Sequence, residues 1–125
     1  MNKLFNEIAE SGTEYLPRLV EGLGEVAEFL RQGKENEGIE RLSQSLEGLE
    51  WVQAVVNGVP VLLQSENIDV LETLKTVLVE LEQAWSDQDH TSLADLIEYE
   101  LVPSLENLYE WFSEQMIQFK ETLRG

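Results

Sequence analysis

Leu93-Ala94-Asp95-Leu96-Ile97-Glu98-Tyr99-Glu100-Leu101-Val102-Pro103-Ser104-Leu105-Glu106-Asn107-Leu108-Tyr109-Glu110-Trp111-Phe112 carries the clearest helical pattern in the chain. Its large apolar residues fall at 93, 97, 101, 105, 108 and 112, and Met116, Phe119 and Leu123 continue the series. Gaps of three and four bring side chains to one face of an α-helix, whereas a half-buried strand would alternate every second residue. Pro103 lies inside the pattern, so a bend is expected there, with the Tyr99 carbonyl left without its usual N–H donor.

The same spacing recurs upstream. Phe5, Ile8, Gly12, Leu16, Leu19, Leu23, Val26 and Leu30 form one stripe, Ile39, Leu42, Leu46, Leu49, Val52, Val56 and Val59 a second, and Ile68, Leu71, Leu74, Leu78, Leu81 and Trp85 a third. Pro17 admits either one kinked helix or a short helix followed by a longer one capped at Thr13. Gly33 should end the first helix. Asn57-Gly58-Val59-Pro60 reads as a breaker cluster that ends or kinks the second, Ser65 as the cap of the third, and Ser86 to His90 as a loop. The fourth helix is expected to start at Thr91 or Ser92, where Ser92 and Asp95 resemble a capping box. No segment alternates like a strand. The expected architecture is all-α, a four-helix antiparallel up-down bundle with kinks at Pro17, Pro60 and Pro103, in a single domain over 1–125. Folding back at Gly33 would set Gly22 near Ser45 and Leu19 near Gly48, a seam of small residues on which two helices could approach closely.

Charge is the outstanding global property. The 125 residues carry 25 acids against 8 bases, a net of −17, and between 42 and 119 the single base is Lys75. Such a surface repels phosphate backbones and anionic lipid headgroups, so neither nucleic acid nor a membrane is the expected partner. The amino terminus offers no apolar leader and no stretch is apolar for the roughly 18 residues a membrane span needs, which leads to an expectation of a cytoplasmic protein. With no cysteine, disulfides and thiolate metal sites are impossible.

Chemistry has few footholds. Di-iron bundles need Glu-x-x-His on two helices, and the chain has one histidine, His90, and no such motif. Asp87, Asp89, Thr91, Asp95 and Glu98 stand at offsets 1, 3, 5, 9 and 12 of a calcium loop, making a metal-binding protein using 87–98 one alternative. Against it, Ser92 occupies the position where the sharp turn wants glycine, and helical periodicity already covers Leu93 to Ile97. No glycine-flanked serine, Walker loop or dinucleotide motif is present, so neither an enzyme nor a cofactor is expected. Partner binding has more to draw on. At about 100° per residue, Tyr99 and Ile117 fall opposite the core stripe beside Asp95, Glu106 and Glu110, and Trp111 lies at its edge. Tyrosine and tryptophan are frequent interface anchors, although single exposed aromatics are also ordinary on soluble surfaces.

Gly48-Leu49-Glu50-Trp51 and Ala94-Asp95-Leu96-Ile97-Glu98-Tyr99-Glu100-Leu101-Val102-Pro103 resemble a group of small acidic helical proteins of unassigned function from Gram-positive spore-forming bacteria. In size and helical layout the chain is also similar to flagellin export chaperones, without matching their characteristic segments. The expected function is a non-enzymatic protein-interaction module, adaptor or chaperone-like, that presents Tyr99, Trp111 and Ile117 with Glu106 and Glu110 at the rim to a helical or basic protein partner. A homodimer built on the same faces is the other alternative.

Overall fold

The computed structural model describes residues 3–124, with side chains to Gln118. Six α-helices follow one another: α1 (Lys3–Arg31), α2 (Glu35–Gln44), α3 (Leu46–Leu63), α4 (Asp69–Ser86), α5 (His90–Leu96) and α6 (Val102–Arg124), with a π-helical turn at Ile97–Leu101 joining the last two. No strand occurs among the described residues, and the protein is all-α.

Burial follows the spacing closely. Phe5, Leu16, Leu19, Leu23, Val26 and Leu30 of α1 share one core with Leu42, Leu49, Val52, Val56 and Val59, with Leu71, Leu74, Leu78 and Leu81, and with Leu93, Ile97, Leu101, Leu105, Leu108 and Phe112. Fully burying a Leu or Phe side chain contributes about 1.5–3 kcal/mol each, so this shared interior is the main source of order. Phe119 and Leu123 lie outside the described side chains. Helix α1 is the hub. It packs along α6 and α2 and also touches α3, α5 and the π turn, while α4 bridges α3 to α5 and α6. Arg31 at the end of α1 meets Asp95 and Glu98, whereas Thr13 near its start meets Met116, so α1 and the α5–α6 rod run in opposite senses.

Three turns close by the same chemistry. After α1, Gly33 takes a left-handed φ of 76°, letting Lys34 N–H donate to Phe29 O (2.9 Å) and Gly33 N–H to Leu30 O (3.2 Å). After α3, Ser65 N–H donates to Pro60 O (3.0 Å), and after α4, Asp89 N–H donates to Ala84 O (3.1 Å). The left-handed residues there are Gln64 (φ 54°) and Gln88 (φ 56°), which carry a Cβ where glycine would carry none.

Several expectations are corrected. Thr13 is not a cap, because its hydroxyl donates to Glu10 O (2.9 Å) inside a helix that runs unbroken through Pro17. Likewise α3 continues through Asn57, Gly58 and Pro60 to Leu63, since Val59, 1% exposed, anchors that turn in the core. The interruption falls at Ser45 instead. Its hydroxyl donates to Arg41 O (3.2 Å) and its N–H is shared between Arg41 O and Leu42 O, a local pairing that separates α2 from α3. Ser45 is therefore buried, and Leu46, expected in the core, is exposed. Ile68, not Ser65, is the cap residue of α4, and Asp89, not Thr91 or Ser92, caps α5. The seam of small residues is where hairpin geometry put it: a Cβ on Gly22 would meet Ser45 Oγ at 3.5 Å, and one on Gly48 would meet Leu19 Cδ1 at 2.9 Å and the Tyr15 hydroxyl.

Pro103 acts through the π turn. Its ring nitrogen cannot donate to Tyr99 O, and just before it the chain widens so that Val102 N–H reaches Ile97 O, five residues back. One extra residue is absorbed, and Ile97, Leu101 and Leu105 all remain 0% exposed.

Candidate functional site

Glu106 and Glu110 stand one turn apart on α6, both exposed. They overhang a groove of about 400 Å³ between α1 and α6, whose other lining residues are Leu16, Pro17, Val20 and Tyr109. Leu16 forms a buried floor, Val20 is half-buried, and Pro17 and Tyr109 are exposed at the edges. Among the described residues neither Glu106 nor Glu110 takes part in an ion pair; the pairs there join Arg31 to Asp95 and Glu98, Arg41 to Glu25, and His90 to Glu35. Two like charges four residues apart on a helix repel one another. The groove is an apolar floor under an uncompensated negative rim.

The other expected partner residues do not join it. Tyr99 and Ile117 are exposed, at 67% and 57%. Eighteen residues of helix separate them by about 27 Å, so they form no pair. Tyr99 sits on the π turn with the Arg31 guanidinium 5.5 Å from its ring centre. Trp111 is half-buried in an aromatic cluster, 5.4 Å from Phe5 and 5.5 Å from Phe112, while Trp51 lies 6.4 Å from Phe112 and 6.2 Å from Tyr15. Edge-on and tilted packing at these separations is cohesive in its own right, and it accounts for Trp111 as structure. Sequence reasoning missed Leu16, Pro17, Val20 and Tyr109 as a group, because a groove between two helices has no signature within either.

The acidic stretch 87–98 is divided among separate tasks. Asp87 accepts from Gln83 Nε2 at 3.0 Å. Asp89 accepts from Ser92 N–H at 3.1 Å and from Ser92 Oγ at 2.7 Å, and these donors, the hydroxyl first, hold its carboxyl below the usual carboxylate range. Thr91 is exposed in the first turn of α5. Asp95 and Glu98 accept from Arg31 Nη2 at 2.9 and 2.6 Å, which raises the already high pKa of that guanidinium, the hydrogen bond to Asp95 contributing most. Helix from His90 onward keeps these oxygens from wrapping a cation. Among the described residues no group of three or more His, Cys, Asp or Glu side chains is arranged to hold a metal ion. His90 Nδ1 faces Glu35 Oε1 at 3.3 Å, and no helix of the described residues is long and apolar enough to cross a membrane.

A family model described as a domain of unknown function (DUF8042) matches residues 7–110, most of the chain. The chain belongs to that family. Its matched span includes all six residues that line the groove and ends on Glu110, leaving Trp111 and Ile117 beyond it. No curated protein and no solved structure matches the chain.

Proposed function

We propose that this chain is a non-enzymatic protein-interaction module of the cytoplasm, an adaptor or chaperone-like protein built as one four-helix antiparallel up-down bundle. In that reading α2 and α3 make the second rod and α5, the π turn and α6 the fourth. One observation carries the functional part: the α1–α6 groove joins apolar Leu16, Pro17 and Val20 to two carboxylates, Glu106 and Glu110, that form no ion pair among the described residues. Burial of a partner's apolar side chains would supply affinity, and the charged rim would set orientation and on-rate. Nucleic acid and anionic membranes are disfavoured as partners by the net charge of −17. The chaperone-like form of the reading, and kinship with proteins of spore-forming bacteria, rest on size, helical layout and the two resembling stretches alone.

A photo-crosslinking residue in place of Val20, expressed in the native host, tests this. A discrete protein adduct at Val20, absent when the same residue replaces Glu37 on α2, is the expected result. No adduct at Val20 above the level at Glu37 contradicts it.

A second reading, a homodimer, is favoured by one feature. Trp51 to Leu63 of α3 carries no charge, and Ala54, Gly58 and Val61 there are exposed. Sedimentation at two concentrations separates the readings, since a dimer on this face gives a mass that rises with concentration and falls on Val61→Glu.

A further inference from the structure

The α1–α6 groove imposes two demands at once. Its floor is apolar, and among the described residues its only formally charged groups are the carboxylates of Glu106 and Glu110. No lysine or arginine lines it; Arg18, beside Pro17 in sequence, is exposed and outside the lining. An anionic ligand meets repulsion at the rim. A second copy of this chain brings another net charge of −17 to the same place. A small polyamine could answer the carboxylates, but it would leave Leu16, Pro17 and Val20 as open as before.

Two helices lying side by side also offer the geometry in which a third helix lays one apolar stripe into the furrow between them.

We propose that the occupant is an amphipathic basic helix of another protein, with an apolar side chain seated on Leu16, Pro17 and Val20 and a Lys or Arg one turn away held between Glu106 and Glu110. This rests on the protein-interaction reading above and names the partner's chemistry. The cation neutralises a like-charge pair that repels in the free protein, so binding gains where the fold alone loses. The α1–α3 groove, lined by Leu4, Ile8, Trp51 and Val55 among others, has no titratable lining group and so nothing to select a partner by charge.

Calorimetric titration of the full chain in about 150 mM NaCl tests it, where exposed charges more than roughly 8 Å apart are screened. The probe is a peptide of about 18 residues, five helical turns, of Leu and Lys at helical spacing. The controls are the same composition scrambled, a Leu/Glu counterpart, and spermidine. Wild type should bind the Leu/Lys peptide at least roughly tenfold more tightly than any control, as expected when both an apolar and a charged element are required. Glu106→Gln with Glu110→Gln should weaken binding by at least about tenfold, against less than about twofold for the charge-matched Glu37→Gln with Glu40→Gln on α2. Equal losses in the two double variants would mean diffuse charge attraction and overturn the site. Equal affinity for the scrambled peptide would overturn the helical occupant, and equal affinity for spermidine would make it a small-cation site. If no peptide binds while Val20 still crosslinks a protein in cells, the basic helix is wrong and the interaction module stands; if both fail, both fall.

Discussion

At the scale of single residues the core's demands are sharpest at Gly12. A Cβ there would lie 2.6 Å from Phe112 Cδ2 and 3.1 Å from a Trp51 ring carbon, and Phe112 is 0% exposed among Phe5, Trp51 and Trp111. The rigid ring cannot retreat without moving its neighbours, so Gly12→Ala should cost about 1–3 kcal/mol in urea unfolding. Gly24 sits on the same helix with open space around it, and Gly24→Ala should gain about 0.5–1 kcal/mol from helix propensity. Spacing alone placed Gly12 on the buried stripe, but only the position of Phe112 separates the two glycines. Asp89 makes a prediction in pH. Its carboxyl, held by Ser92 N–H and Oγ, titrates below its ordinary value in the folded chain, so its contribution is present above that value and lost as pH falls through the folded pKa. Asp89→Asn should lower Tm at neutral pH, and the gap to wild type should close as acid protonates the folded carboxyl, at a pH below the ordinary Asp value. A gap that persists undiminished in acid would show that charge has no part in this cap.

Among the elements, stripes were legible and junctions were not. Every position from Leu93 to Phe112 assigned to the core by spacing is buried, because a 3.6-residue period admits few alternatives. Yet the three successive gaps of four from Leu93 to Leu105 walk off a straight α-helix, and the π turn before Pro103 is what returns them to one face. That drift, beside a proline, was a signal in the sequence. Ser45 gave none: serine is common in helices, and only its burial against Gly22 and its bond to Arg41 O make it a break. The breaker cluster at 57–60 does not end its helix, since tertiary burial of Val59 outweighs local propensity. Turn chemistry was half legible, with Gly33 marking one left-handed cap and Gln64 and Gln88 disguising two others. Exposed and left-handed, Gln88 should be better served by glycine. Gln88→Gly is expected to raise stability by up to about 1 kcal/mol in chemical unfolding, and a loss would mean that its side chain holds the α4–α5 turn.

For the whole molecule, charge dominates. A net of −17 on a small helical protein repels itself, and the solvent-exposed ion pairs at Arg31 and Arg41 are too well screened to offset it. Screening should therefore help more than it harms. Tm is expected to rise as NaCl goes from about 10 to about 150 mM, where the Debye length falls from roughly 30 to 8 Å. A fall would mean that ion pairs outweigh self-repulsion. The partner face was only partly legible at this scale: the glutamates were visible as rim charges, while their floor belongs to a helix about ninety residues earlier in the chain, brought alongside by folding. Partner binding is proposed at that groove, and an NMR titration of isotope-labelled protein with the Leu/Lys peptide reads it directly. Amide shifts should concentrate at Leu16 to Val20 on α1 and at Glu106 to Glu110 on α6. Shifts confined to α2, α3 or α4, or scattered over every acidic helix face, would contradict it.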